Sequence, residues 1–529
     1  MRLTIILTAF LVLSSLARAE DEDPAQKPAA RPTFKALMAD SANSKAMRDG
    51  VKRARKYFEQ EAELAAGKRG SGEGKVEVER EKWREWLDQS KANLGVDLYK
   101  HPRIVIDTLE AGQALALQRM VKLKKGSLDY GSKDAPGYSR GNIAYTVLVP
   151  DDYAPHKMDE GLPLVVTMHG RAINLRHPAL KKSPEERSRI VVWNNWMSEK
   201  KKALHNAIVI APTGRPEGYS FAKAPDFARQ TVFLALGVGH ADYRTDELRT
   251  FIEVYGDMMH VASQYSNLCA GIIWRDREDQ QQVPINDDET MVFDNLNGRP
   301  LYYVADKRMW KKIGAPMAAA LKAAYERAGK PQNLIIEQVE RDANGALRAD
   351  PEKMANFLKA GLAMPQREFK WLYWSPALVG PMPVLLTRAD YSYDATEKIQ
   401  AMPLRDRCGS IEFKATVEMV NDKPVNMLDL KITEAQSAKI FLYEPLVDLD
   451  LPVTVKVNGN IVMENEIVKR DWKLFERYCM PRRFFTFPIV GEIDVNFPVV
   501  PRVAPEPVEK EGEEAAEGED SDAAGAGEK

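Results

Sequence analysis

The period of the apolar positions changes twice along this chain, and each change marks a different kind of structure. From Phe34 to about Leu98 the spacing is helical: Ala46, Val51, Ala54, Tyr57, Phe58 and Leu64 share a face. A glycine-rich break covers Gly67 to Gly74. Trp83, Trp86 and Leu87 then follow at i, i+3 and i+4 among charges. This reads as a helical hairpin presenting one apolar stripe to a larger body.

After His101-Pro102 the pattern turns to short continuous apolar runs. They are Ile143–Val149, Leu164–Met168, Ala207–Ile210, Phe251–Tyr255, Leu301–Val304 and Leu334–Ile336, with a helical pattern at Ala315–Ala328. Strands without alternation are buried on both faces, so strands and helices in turn predict an α/β unit built on a mostly parallel sheet. Ligands of such sheets bind beyond the carboxyl ends of the strands, which directs attention to His169, Pro212, Asp257 and Asp306.

Beyond Pro365 the texture becomes all-β. Ile411–Met419 alternates, Lys439–Tyr443 is short and apolar, and Val453–Val457 passes through Asn458-Gly459 into Ile461–Met463. Asn-Gly between two such runs signals a hairpin, because both turn residues need positive φ. A sandwich-like β domain up to about Val500 is expected.

The termini differ from all of this. Arg2, the apolar run Leu3–Leu16 and Ala17-Arg18-Ala19 have the form of a secretory signal, so the chain is expected to be exported to the periplasm or the extracellular space. No lipobox cysteine follows that run, and no later stretch is apolar enough to span a bilayer. The expected division is a signal peptide over 1–19, a flexible tether over 20–32, a helical region over 33–130, an α/β domain over 131–365, a β domain over 366–500 and a disordered acidic tail over 501–529.

Composition narrows the function classes. The chain has 529 residues, 44% of them hydrophobic, and a net charge of -2, which gives no electrostatic footing for nucleic acid. Its three cysteines, Cys269, Cys408 and Cys479, form no disulfide framework. At most one bridge is expected, with Cys408 and Cys479 as the pair. Seven histidines show no zinc-ligand spacing, and neither metal nor cofactor is expected.

The stretch from about Asn142 to Gly361 resembles the α/β-hydrolase superfamily, in particular secreted bacterial esterases of the depolymerase-like kind. The resemblance rests on Tyr145–Pro150 (YTVLVP), Leu164–Gly170 (LVVTMHG), Tyr243–Gly256 (YRTDELRTFIEVYG) and Ser263–Ile273 (SQYSNLCAGII). The segment Asp448–Val455 with Val457-Asn458-Gly459 looks like the β module that follows such hydrolases in some bacterial proteins.

This resemblance implies a G-x-S-x-G elbow after the strand ending at Gly256, where the chain instead reads Gly256-Asp257-Met258-Met259-His260. A thioether has no proton to lose, so Met258 cannot attack a carbonyl as serine does, and the bulk of His260 suits the turn badly. No histidine follows His260, and the loop expected to carry the base reads Glu340-Arg341-Asp342-Ala343-Asn344-Gly345. Asp306 is the candidate acid, although it follows its strand directly. His169-Gly170-Arg171, with Asn174 and Arg176 nearby, matches the oxyanion corner.

Residues for a metal site or an aspartate nucleophile stand at the same place. Asp257 and His260 share a helix face, Asp257 stands one position early for an aspartate nucleophile, and His240, Asp242 and Asp246 lie upstream. Ser263 and Ser266 read as helix surface. The expectation is a pseudo-hydrolase that binds a ligand in the cleft or a partner, with no nucleic acid and no membrane segment after signal removal. The alternatives are a carboxylic-ester or peptide hydrolase with a rearranged site, and a purely structural envelope protein.

Overall fold

The computed structural model describes residues 32–65, 72–120, 128–134, 142–150, 161–168, 206–212, 225–256, 259–263, 265–276, 289–341, 347–363, 366–373, 383–389, 409–444, 446–479 and 487–500, together with Gly70, Tyr153 and Leu204. The expected signal peptide, tether and acidic tail lie outside these residues, as does Cys408.

An eight-stranded sheet holds the middle of the chain. Its strands are β1 (Leu128–Asp134), β2 (Asn142–Leu148), β3 (Leu162–Met168), β4 (Ile208–Pro212), β5 (Thr245–Tyr255), β6 (Gly271–Arg275), β7 (Leu301–Asp306) and β8 (Leu334–Val339). Their order in the sheet is β1-β2-β4-β3-β5-β6-β7-β8. β1 pairs antiparallel with β2 and β2 with β4, while β4, β3, β5, β6, β7 and β8 run parallel.

Every residue of β4, β6 and β7 is buried, as both-face coverage requires. Strand β6 was not among the predicted strands, and β1 begins at Leu128, so it straddles the expected boundary at 130/131. Helix α6 (Pro225–Asp242) covers one face. Its Gly239 lies so close to β3 that a Cβ there would stand 2.5 Å from a methyl of Leu164. On the other face α9 (Pro351–Ala360) packs Phe357 against Phe251 and Tyr302, with ring centroids 5.5 Å apart in both pairs.

The N-terminal part is helical: α1 (Phe34–Ala39), α2 (Ser44–Ala65), α3 (Glu73–Asp88), α4 (Ser90–Leu94) and α5 (Pro102–Met120). Trp83, Trp86 and Leu87 of α3 are all buried, and the Trp86 indole N–H donates to the carbonyl of Ala46 at 2.9 Å. Gly50 makes this crossing possible, because a Cβ there would lie 2.2 Å from the Trp86 ring. Gln113 of α5 donates to the carbonyl of His240, near the end of α6 and just before β5 begins. The helices therefore meet the sheet at the amino end of its parallel strands, away from the carboxyl ends.

Two further sheets follow. One has the order β15-β14-β12-β11-β9, from β15 (Asn460–Glu466), β14 (Val453–Val457), β12 (Lys423–Ile432), β11 (Gly409–Val420) and β9 (Glu368–Tyr373). The other has the order β10-β13-β16, from β10 (Val384–Ala389), β13 (Ala435–Leu442) and β16 (Gly491–Asn496). The β14–β15 turn has Asn458 at φ 51° and Gly459 at φ 82°, both left-handed as the Asn-Gly pair implies.

At the edge strand β9, the buried Asn295 side chain donates to the Leu372 carbonyl at 3.0 Å and accepts from its N–H at 2.7 Å. A side-chain amide thus satisfies backbone groups that an open sheet edge would leave unpaired. Between β15 and β16 lies α10 (Trp472–Tyr478), ending at Cys479. The thiol of Cys479 is buried and points to the Phe487 carbonyl at 3.7 Å, while Cys408, its expected bridge partner, lies outside the described residues.

Candidate functional site

The carboxyl ends of β5, β6, β7 and β8 converge on a group of buried polar side chains. Asp306, the last residue of β7, is only 1% exposed. Its Oδ2 accepts from Arg341 Nε at 2.6 Å, and its Oδ1 accepts from the Arg308 backbone N–H at 3.0 Å. Arg341 comes from the segment just after β8, where an isolated bridge to Leu347 fixes the chain. Burial alone would push the Asp306 carboxyl up, but the bonds from Arg341 and Arg308 hold it below the usual carboxylate range.

Asp276 follows β6 and is also buried. Its Oδ2 accepts from the Asp306 N–H at 2.8 Å, and its Oδ1 accepts from the Tyr303 hydroxyl at 2.7 Å. Here burial prevails over those two bonds and raises the carboxyl. Tyr303 in turn stacks on Trp274 with centroids 4.7 Å apart, and the Trp274 indole donates to the Gly256 carbonyl at 2.9 Å. Gly256 itself, immediately after β5, has φ +51°, a left-handed turn suited to glycine.

On the face of the sheet opposite Trp274 and Tyr303, Glu253 lies wholly inside β5. One of its oxygens accepts from Arg275 Nε at 2.6 Å and the other from Thr167 Oγ1 at 2.6 Å, while Arg275 Nη1 donates to the Leu347 carbonyl at 2.6 Å. A charge pair this deep holds only when each remaining donor and acceptor finds a partner. Strands β3, β5 and β6 are thereby tied together next to their carboxyl ends.

Asp306 and Gly256, both candidate site residues from the sequence, stand at this edge. His169, Gly170, Arg171, Asn174, Arg176, Asp257, Met258 and the side chain of His260 lie outside the described residues. Ser263 and Ser266 are fully buried rather than on the helix surface, and Ser266 donates to the Asn295 carbonyl. The reason is that α7 (Met259–Ser263) is one short turn wedged beside the 3-10 segment Glu289–Leu296. His240 is buried between Thr245 and Thr250, at the far end of the sheet from Asp306.

Glu253, Arg275, Asp276 and Tyr303 escaped sequence reasoning. A glutamate inside the run Phe251–Tyr255 was the one available signal. Among the described residues, no cluster of three or more His, Cys, Asp or Glu side chains could hold a metal ion. No helix among them is long and apolar enough to cross a membrane. Two grooves, of about 600 and 750 Å³, lie away from the strand ends: one beside α8 (Ala315–Arg327) and β9, the other between α3 and α10.

No protein-family description and no curated protein matches the chain. Similar solved structures include the S-formylglutathione hydrolase FrmB of Staphylococcus aureus, 12% identical with a TM-score of 0.30, the match covering 45% of this chain and 99% of that one. The glucuronoyl esterase from Solibacter usitatus is 13% identical with a TM-score of 0.30, covering 45% and 87%. Thermogutta terrifontis esterase 2 is 12% identical with a TM-score of 0.27, covering 44% and 90%. With its antiparallel start, six parallel strands and helices on both faces, the central unit is an α/β fold built on a mostly parallel sheet.

Proposed function

We propose that this α/β-hydrolase-like chain is exported and acts by binding a ligand or partner, without catalysing hydrolysis. The observation that carries the reading is the Asp306–Arg341 pair. Arg341 follows β8, where a hydrolase of this fold needs a histidine base, and a guanidinium has no lone pair available to accept a proton. Asp306, the carboxylate that would orient that base, is already bound to two arginines. The left-handed residue after β5 is Gly256, which carries no nucleophile, and the sequence that follows offers Met258 rather than serine. The corner His169-Gly170-Arg171 is retained in this reading as part of the ligand cleft, with Arg171 favouring an anionic or strongly polar group.

The test is a pair of measurements on the purified chain. Short-chain p-nitrophenyl esters are expected to show no turnover above the buffer rate, while fractions of glycan or peptide extract raise the melting temperature, as any ligand of the native state must. Ester turnover that disappears in Asp257→Asn or His260→Ala, with the circular dichroism spectrum unchanged, would instead establish a hydrolase with a rearranged site.

A further inference from the structure

The groove between α3 and α10 is open, about 750 Å³ in volume, and its lining joins basic and aromatic side chains. Five basic side chains meet three carboxylates there. Arg84 is already clamped by Glu476, and Arg470 by Glu444 and Asp450. Lys473 and Arg477, one helical turn apart on the exposed side of α10, have no carboxylate within 4 Å among the described residues. The floor is aromatic: Tyr99 meets Trp472 edge to face at 5.6 Å. Trp472 is 8% exposed and its indole N–H has no hydrogen-bond partner, a donor left open in the groove lining beside Lys473 and Arg477.

We propose that the occupant of this groove is the chain's own acidic C-terminal segment, Pro505–Lys529, bound within the same molecule. Between Pro505 and Lys529 there are ten acids and two lysines, so the segment is opposite in charge to Lys473 and Arg477, the groove cations that no described carboxylate pairs. The connection is short enough. The backbone N–H of Asp471, in the groove, donates to the Val490 carbonyl at 2.6 Å, and Val500 follows ten residues later, within about 33–36 Å. The 29 residues after Val500, treated as a flexible chain, have a root-mean-square span of about 30 Å. A tether that matches its span gives an effective concentration in the millimolar range, so a weak contact suffices to fill the groove.

Carbodiimide cross-linking of the full chain, read by mass spectrometry, tests this directly, because it joins a lysine amine to a carboxylate only when the two touch. The expected result is a Lys473 link to tail carboxylates within one molecule, reduced at least fivefold by 0.5 M salt and by Arg477→Glu. Replacing the ten tail acids with Gln or Asn leaves the folded part intact, and is expected to speed hydrogen exchange of the α10 amides. A tail that links equally to lysines elsewhere overturns the proposal. So does a link that forms between isotopically distinct chains, or α10 exchange that ignores the tail substitutions.

Discussion

Arg341 Nε lies 2.6 Å from Asp306 Oδ2, with the two side chains 7% and 1% exposed. The pair closes the edge between the ends of β7 and β8, and the Asp306 N–H binds Asp276 at the end of β6. Removing one member of a buried pair leaves the other charged and desolvated. Arg341→Met is therefore expected to lower stability by about 3 kcal/mol. The double variant Asp306→Asn/Arg341→Met is expected to recover part of that loss. Urea denaturation of the four members of the cycle measures it, and additive effects would contradict direct pairing.

Glu253 and Arg275 allow a sharper contrast. Their side chains are 0% and 4% exposed, and Glu253→Gln strands the arginine charge in the sheet at a cost of roughly 3–5 kcal/mol. The half-exposed Arg327 pairs with Asp294 at 2.7 Å, and Arg327→Ala is expected to change stability by less than about 1 kcal/mol. Equal shifts in the urea midpoint for the two variants would refute this assignment of burial.

His240 is a pH probe placed far from the candidate site. Burial between two threonines lowers its pKa to about 3, so the folded chain keeps the ring neutral while the unfolded chain binds a proton near pH 6.5. The unfolded state thus holds more protons as pH falls below 6.5, and this residue's contribution to stability declines by about 1.4 kcal/mol per pH unit down to about pH 3. The difference in stability between the chain and His240→Asn should show that slope from pH 6.5 to 4.5. A flat difference would mean that the ring is solvated.

Gly50 is a packing test for the helical hairpin. An added methyl would fall 2.2 Å from the Trp86 ring, so Gly50→Ala forces α2 and α3 apart despite alanine's better helix propensity. A loss of about 1–3 kcal/mol is expected, together with a shift in the indole fluorescence of Trp86. Stabilisation by the substitution would show that the helices cross elsewhere.

Much of the architecture was legible in the order of the residues. Runs such as Leu164–Met168 and Leu301–Val304 are strands buried on both faces, and no helical period competes with them. Trp83, Trp86 and Leu87 announce a helix with one buried stripe, and Asn458-Gly459 announces its hairpin because few other pairs accept two positive φ angles. Strand β6 was missed because Gly271-Ile272-Ile273-Trp274-Arg275 opens on a glycine and ends in a charge. That charge is tolerated because Glu253 waits on the neighbouring strand.

By itself, then, the chain's sequence determined local periodicity and turn chemistry, and it sets Met258 after Gly256-Asp257 with no histidine beyond His260. Which strands lie side by side was decided only in three dimensions, since β4 enters between β2 and β3 through crossovers whose packing no local pattern records. The same holds for the pairing of Arg341 with Asp306 and of Arg275 with Glu253. Each joins residues far apart in the chain, and a buried charge is stable only beside the partner that folding brings to it.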